Sequence, residues 1–330
     1  MSKKLNLNPK LYDKDVEQEP TRAGFGRGLL AAGKRDNRVV ALCADLTVST
    51  KMDLFAKEFP ERFVEIGVAE QNLVTVASGM AHMGKVPFVS SYAAFSPGRN
   101  WEQIRTTICL NEANVKIVGS HAGVSVGPDG ATHQMLEDIA LMRVLPNMRV
   151  VVPCDAIEAE KATQTLAAID GAAYLRLARE KTPIITTTAT PFELGKAQIF
   201  RDGKDLTIVA CGPMVYQALI AADQLAKVKI DVEVINCPVV KPLDWVAILA
   251  SAKRTGAVMT VEEGQINGGL GGAVAELLGE HYPVPLIRVG MADRFGESGA
   301  PDELLEHFGL TAPHIVKHAH ELVKRKGGND

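Results

Sequence analysis

In the stretch GVAEQN, residues 67–72, the carboxylate Glu70 sits between a strand-like apolar run and a helix-like apolar run. With Gly67 as N-cap, Glu70 falls at the third helical position, where a carboxylate caps backbone N–H groups and complements the helix dipole. The apolar flanks support a second reading. A desolvated carboxyl holds its proton more tightly and can exchange it with a heterocyclic nitrogen. In SSYAAFSPGRNW (90–101), Tyr92 and Phe95 stand three residues apart at a strand end. They read either as core or as one wall of a pocket for a flat ring. SHAGVSVGPDGATHQ (120–134) places His121, Asp129 and His133 around a loop with three glycines. Glycines let backbone approach a ligand closely, Thr132 is a good N-cap, and His133 is expected to open a helix whose N–H groups favour anions. Metal binding is a poor reading of this loop, because no second ligand follows at i+4 and no cysteine is near. Arg22, Ser49 and Arg179 each read alone as a surface group or cap, yet an arginine fork suits a phosphate bidentately.

These residues need elements that bring them together. Short apolar runs at 38–43, 62–67, 87–91, 114–120, 148–153 and 172–178 alternate with helix-period segments such as 72–83 and 133–145. That rhythm predicts an α/β fold with mostly parallel sheets flanked by helices. EKTPIITTTATPF (180–192) interrupts it and reads as a linker; the alternation then restarts at 205–211, 230–236, 257–263 and 284–290. Two domains are expected, 1–190 and 191–330. In open α/β sheets ligands bind where strands end and helices begin, and the chemistry-bearing residues of the first domain cluster at such turns.

Composition narrows the function. The 330 residues are 46% hydrophobic, enough for two cores, and a net charge of −3 without long runs of one sign argues against nucleic acid or an anionic membrane as main partner. The amino terminus MSKKLNLNPK lacks the apolar core of a signal peptide, and no apolar run reaches a membrane span, so a cytoplasmic location is expected. Five widely spaced cysteines without a CxxC read as buried free thiols. GGLGGA (268–273) lacks the G-x-G-x-x-G spacing, and no glycine fingerprint follows the first strand, which argues against a dinucleotide-binding dehydrogenase.

Taken together, GVAEQN, the aromatics after the next strand, the H-x7-D-G-x-T-H-Q loop and the tail VEEGQINGGLGGAVAELL resemble the C-terminal half of transketolase, from about Arg22 onward. The resemblance implies a pyrimidine-binding domain followed by a transketolase C-terminal-like domain. It implies that Glu70 hydrogen-bonds the aminopyrimidine ring of thiamine diphosphate, that Tyr92 and Phe95 pack on that ring, and that Asp45 lines the cofactor site. His121 and Asp129 match groups contacting donor hydroxyls, with His121 and His133 assisting proton movement. His133, Arg22, Ser49 and Arg179 match sugar and phosphate contacts.

Two departures stand out. Gly98 occupies the place of a further aromatic, which leaves Arg99 with a role the family pattern does not assign. The family's Gly-Asp-Gly…Asn motif, which holds Mg²⁺ and the diphosphate, does not occur. The expectation is therefore a separate diphosphate-binding subunit and an α2β2 heterotetramer acting on phosphorylated sugars, with the metal held mainly by the partner. Competing readings are the beta subunit of a 2-oxoacid dehydrogenase decarboxylase, a deoxyxylulose-phosphate synthase-like enzyme, and a non-catalytic assembly subunit. The sugar-reading loop argues against the first of these and the retained chemical residues against the last.

Overall fold

The structure, a computed structural model, describes residues 6–328; the first half of the polar amino-terminal stretch lies outside them. In chain order the first unit contains β1 (Gln18–Pro20), α1 (Thr21–Arg35), β2 (Val39–Cys43), α2 (Asp53–Glu58), β3 (Phe63–Glu65), α3 (Glu70–His82) and β4 (Val86–Tyr92). It continues through α4 (Trp101–Gln103), β5 (Lys116–Ser120), α5 (Asp138–Arg143), β6 (Arg149–Val151), α6 (Ala156–Ala167), β7 (Ala173–Arg176) and β8 (Lys181–Pro183). The second unit contains β9 (Gln198–Arg201), β10 (Leu206–Ala210), α7 (Met214–Lys227), β11 (Val232–Asn236), β12 (Val239–Lys241) and α8 (Trp245–Thr255). It ends with β13 (Val258–Gln265), α9 (Leu270–His281), β14 (Leu286–Met291), α10 (Pro301–His307) and α11 (Ala312–Lys326).

The first sheet has seven strands in the order β12-β6-β7-β5-β4-β2-β3, all parallel except the edge strand β12. Every residue of β2, β5 and β7 is buried. Strands covered on both faces need apolar side chains on both faces, so they read as continuous apolar runs rather than as alternation. The second sheet, β14-β13-β10-β11-β9, is parallel apart from β9. No periodicity marks β12 as part of the first sheet, yet its pairing with β6 stitches the second unit onto the first.

The Thr/Pro-rich stretch at 180–192 is no loose linker. β8 pairs antiparallel with β1, and the N–H groups of Ile185 and Thr186 donate to Asp155 Oδ2 across 2.8 and 2.6 Å. The Asp155 carboxylate also caps α6, accepting from Glu158 N at 2.8 Å. Thr21, at the start of α1, accepts a hydrogen bond from Ala178 N at 2.8 Å, so the segment after β7 fixes the helix that carries Arg22.

Helix α1 lies directly on α6 because Gly24 and Gly28 present no side chain there. A Cβ at Gly24 would stand 1.8 Å from the Ala156 carbonyl oxygen, and one at Gly28 2.7 Å from that of Glu160. Gly24→Ala is therefore expected to force the helices apart and to destabilise the protein by about 1–3 kcal/mol. A lowered urea midpoint with unchanged slope checks this. All five cysteines are buried and unpaired, and burial pushes the Cys154 and Cys211 thiols well above their ordinary range. Among the described residues no helix is long and apolar enough to cross a membrane.

Candidate active site

Glu70 is the first residue of α3 and does not cap it. Gly67 adopts φ +81° and Ala69 N bonds back to Gly67 O at 2.7 Å, a tight turn that delays the helix beyond the expected start. The backbone N–H of Gly67 is instead met by Glu65 Oε1 at 3.0 Å, which also accepts from Asp45 N at 2.7 Å. Released from capping, the Glu70 carboxylate turns inward and is 1% exposed. Ser91 Oγ donates to Oε1 across 3.1 Å, and Arg99 Nη1 donates to Oε2 across 3.0 Å. Asn100 Nδ2 donates to the Glu70 main-chain oxygen at 2.9 Å, fixing the turn of helix that carries the carboxylate. An open hollow lined by Val68, Glu70, Asn72, Thr75, Arg99 and Gln103 leads to this group.

Next to it four rings form one cluster. Tyr92 and Phe95 stack at 6.3 Å between centroids, and Tyr92 lies 3.9 Å from the His121 ring. His133 meets Phe95 edge-on at 5.4 Å. His121 sits at φ +59° and Asp45 at φ +59°, left-handed conformations that non-glycine residues adopt sparingly. Both follow the last residues of parallel strands, where such strain gathers at functional positions. His121 Nδ1 is 2.8 Å from Ser120 Oγ, and His133 Nδ1 is 2.9 Å from Thr132 Oγ1.

The cations close the other side. Arg22 Nη1 donates to Ser49 O at 2.6 Å and its Nε to Arg179 O at 3.1 Å, so α1, the segment after β2 and the segment after β7 meet on one guanidinium. Arg179 reaches the Val126 carbonyl and lies 3.7 Å from Asp129. Asp45 and Asp129 are exposed beside these groups rather than buried among them. Burial, reinforced by Arg22, Arg179 and His133, holds the His121 pKa down at about 3. His121 is accordingly a neutral imidazole, able to donate from one nitrogen and accept at the other. Because its pKa falls on folding, this histidine costs no stability above about pH 6.5 and progressively destabilises the protein as pH drops from there toward about 3. Nitrogen-15 histidine spectra are expected to show His121 neutral from about pH 5 to 8; a midpoint near its ordinary value would contradict the burial argument.

His133 does not open a helix, and Thr132 caps none. Residues 122 and 135 form a parallel bridge, Gly123 N bonds to Met135 O at 2.9 Å, and α5 starts only at Asp138. The anion-binding helix terminus expected at His133 is thus absent. Gln134 fixes this turn in place, donating Nε2 to the carbonyls of Val124 (3.1 Å), Gly127 (3.1 Å) and Glu297 (2.8 Å). The second unit supplies further support. Glu263 Oε1 accepts from Ser125 N at 2.6 Å, and a Cβ at Gly123, whose φ is +94°, would lie 2.2 Å from that oxygen.

GGLGGA serves the fold. Glu262 accepts from Leu270 N at 2.8 Å and Gly271 N at 2.7 Å, filling the amino end of α9 with a carboxylate of the protein itself. Among the described residues no cluster of three or more His, Cys, Asp or Glu side chains could hold a metal ion. Ser91, Asn100 and Glu65 carry no signal of their own in the sequence; Gln134 lies in the H-x7-D-G-x-T-H-Q loop and Glu263 in the tail VEEGQINGGLGGAVAELL, yet no local pattern announces the partners these two hold.

Known proteins match the chain over both units. The transketolase pyrimidine-binding domain matches residues 17–184, and the transketolase C-terminal domain matches residues 195–315. The chain is 45% identical to a 6-deoxy-6-sulfo-D-fructose transketolase subunit of a Clostridium species, over 96% of this chain and 98% of that protein. It is 39% identical to one subunit of an apulose-4-phosphate transketolase of Phocaeicola vulgatus, over 92% and 97% of the two chains. A solved split-gene transketolase, an inactive beta4 tetramer, superposes with a TM-score of 0.86 at 44% identity, covering 94% of this chain and all of that one. Strand-end chemistry, fold and matches over both units lead to one conclusion: the chain belongs to the transketolase family, a thiamine diphosphate-dependent transferase family, and corresponds to the beta subunit of its split members.

Proposed function

We propose that the chain is the C-terminal, or beta, subunit of a split transketolase, moving a two-carbon ketol unit from a ketose to an aldose together with a separate subunit that holds the diphosphate and Mg²⁺. The observation that carries the reading is Glu70: a buried carboxylate at the end of an open hollow, beside an aromatic pair, with one polar hydroxyl on one oxygen. That set fits the pyrimidine half of thiamine diphosphate, a flat heterocycle with a polar edge. When bound, the cofactor supplies the nucleophilic carbon and the electron sink that cleaving a ketose carbon–carbon bond requires. Glu70 would hold a proton at the heterocycle's edge, with Ser91 and Asn100 fixing its position. Tyr92 and Phe95 would wall the ring and exclude water, and Asp45 would line the rim. Neutral His121, with His133 and Asp129, would bind and orient the sugar hydroxyls.

Arg22, Arg179 and Ser49 sit at the far side of the ring cluster, where the anionic end of a sugar would lie. The sugars named for the two relatives each carry one tetrahedral anion, a sulfonate in one and a phosphate in the other. Arg179→Ala is expected to raise KM for phosphorylated sugars about tenfold, the equivalent of ~1.4 kcal/mol, with kcat less affected. Unchanged KM would remove Arg179 from the anion site. We place the division between the two domains at residue 190, with β12 reaching back across it.

The decisive assay mixes this chain with a partner bearing Gly-Asp-Gly…Asn and measures transfer from xylulose 5-phosphate to ribose 5-phosphate with thiamine diphosphate and Mg²⁺. Activity in the mixture alone supports the split enzyme. By itself, like the solved beta4 relative, the chain is expected to self-associate without activity, which light scattering after gel filtration reads. An active homo-oligomer would overturn the divided site.

A further inference from the structure

The turns between Tyr92 and Asn100 give Arg99 an unassigned position. Phe95 N and Ser96 N both bond to Tyr92 O at 2.9 Å, and Arg99 N bonds to Phe95 O at 2.8 Å. In this backbone a Cβ at residue 98 would stand 2.0 Å from the Ala94 carbonyl oxygen, so no side chain, aromatic or otherwise, fits there. The next side chain turns into the space. The Arg99 guanidinium lies over the Phe95 ring, 5.1 Å from its centroid, and donates to Glu70 Oε2. It is the only charged partner of that buried carboxylate among the described residues, and its own side chain is 52% exposed. Arg99 therefore touches the two surfaces, the Phe95 face and Glu70 Oε2, that a heterocycle in this hollow would use. An arginine held by one N–H at a rim can swing into water along its flexible stem at small cost.

We propose that Arg99 is a displaceable guard of the pyrimidine half-site: it neutralises Glu70 and covers Phe95 in the cofactor-free subunit, and a heterocycle seated on those groups drives it out. Cofactor affinity then reflects an exchange of partners on Glu70, so Arg99 opposes binding instead of contributing to it. The proposal rests on the thiamine diphosphate reading above and adds a residue to it.

Two measurements test it. The first titrates thiamine diphosphate with Mg²⁺ into the reconstituted complex by calorimetry, for wild type, Arg99→Met and Arg99→Lys. Removing a half-exposed competing ion pair is expected to lower Kd about 2- to 5-fold in Arg99→Met, with Arg99→Lys between. A Kd that is unchanged or raised in Arg99→Met, in a complex whose wild type binds the cofactor, overturns the guard alone. A wild-type complex that binds no cofactor overturns both the guard and the ketol-transfer reading. The second needs neither partner nor cofactor. In thermal melts of the isolated chain, Arg99→Met is expected to lower the midpoint by leaving Glu70 buried without a counter-ion, and Glu70→Gln added to it to restore part of the loss. Additive losses in the double variant overturn the pairing.

Discussion

Glu70→Ala is expected to cut ketol transfer by the reconstituted enzyme at least ~100-fold, about 2.7 kcal/mol in barrier, and to leave the fold intact. The two halves of that expectation have separate grounds. The activity loss follows from the carboxylate's position at the end of the hollow, next to Tyr92 and Phe95, where no other acidic side chain among the described residues is bonded to Ser91 or Arg99. The fold is spared because the helix start is anchored through the Glu70 main-chain oxygen, which Asn100 binds and the substitution keeps. Arg99, already half in solvent, loses a partner without becoming buried. Glu70→Gln separates charge from shape, since it preserves an acceptor for Ser91. Turnover assays and far-ultraviolet circular dichroism on both variants decide the matter. A well-folded alanine variant retaining more than about a tenth of wild-type turnover takes the catalytic role away from Glu70.

The largest stability effect is expected from Asp138→Ala. Arg176 and Asp138 form a buried pair, 5% and 0% exposed, with Arg176 Nε 2.8 Å from Asp138 Oδ2. Tyr174 OH donates to the same oxygen at 2.8 Å, and Arg176 Nη2 donates to the Glu263 carbonyl at 2.7 Å. Burial opposes the guanidinium charge, and Asp138 with Glu263 more than offsets it, so Arg176 stays charged. Removing Asp138 strands that charge in the interior, at a cost of about 3–5 kcal/mol. Since Arg176 also joins β7 to β13 and to Met135 O, the histidine loop is expected to loosen with it. The double replacement Asp138→Leu with Arg176→Met should recover much of the stability, because buried ion pairs can be exchanged for apolar side chains at little net cost. Urea unfolding of the wild type and the two variants measures both points. A loss under ~1 kcal/mol in Asp138→Ala would show that the pair contributes no more than a surface bridge.

What can be read from the residues alone follows from local physics. Parallel strands buried on both faces must be apolar on both, so β2, β5, β7, β10, β11 and β13 stand out as runs. The polar residues just beyond such runs then fall at the ligand-binding edge of the sheet, which is why Glu70, Tyr92, Phe95 and His121 are legible as one group. Periodicity reports which face of an element is covered, not what covers it. The Glu70–Arg99 pair spans 29 residues and the Ser125–Glu263 contact 138, and both depend on strand order and turn geometry. For the same reason the helix expected from His133 gives way to a bridge with residue 122, and Thr132 has no helix to cap. Tertiary contacts also decide that β12 closes the first sheet, that Glu262 fills the end of α9, and that Arg99 reaches Glu70 and Phe95 beside a Gly98 whose backbone leaves no room for a side chain. Only folding, which brings residues far apart in sequence within hydrogen-bond reach, selects among the several partners each local pattern would tolerate.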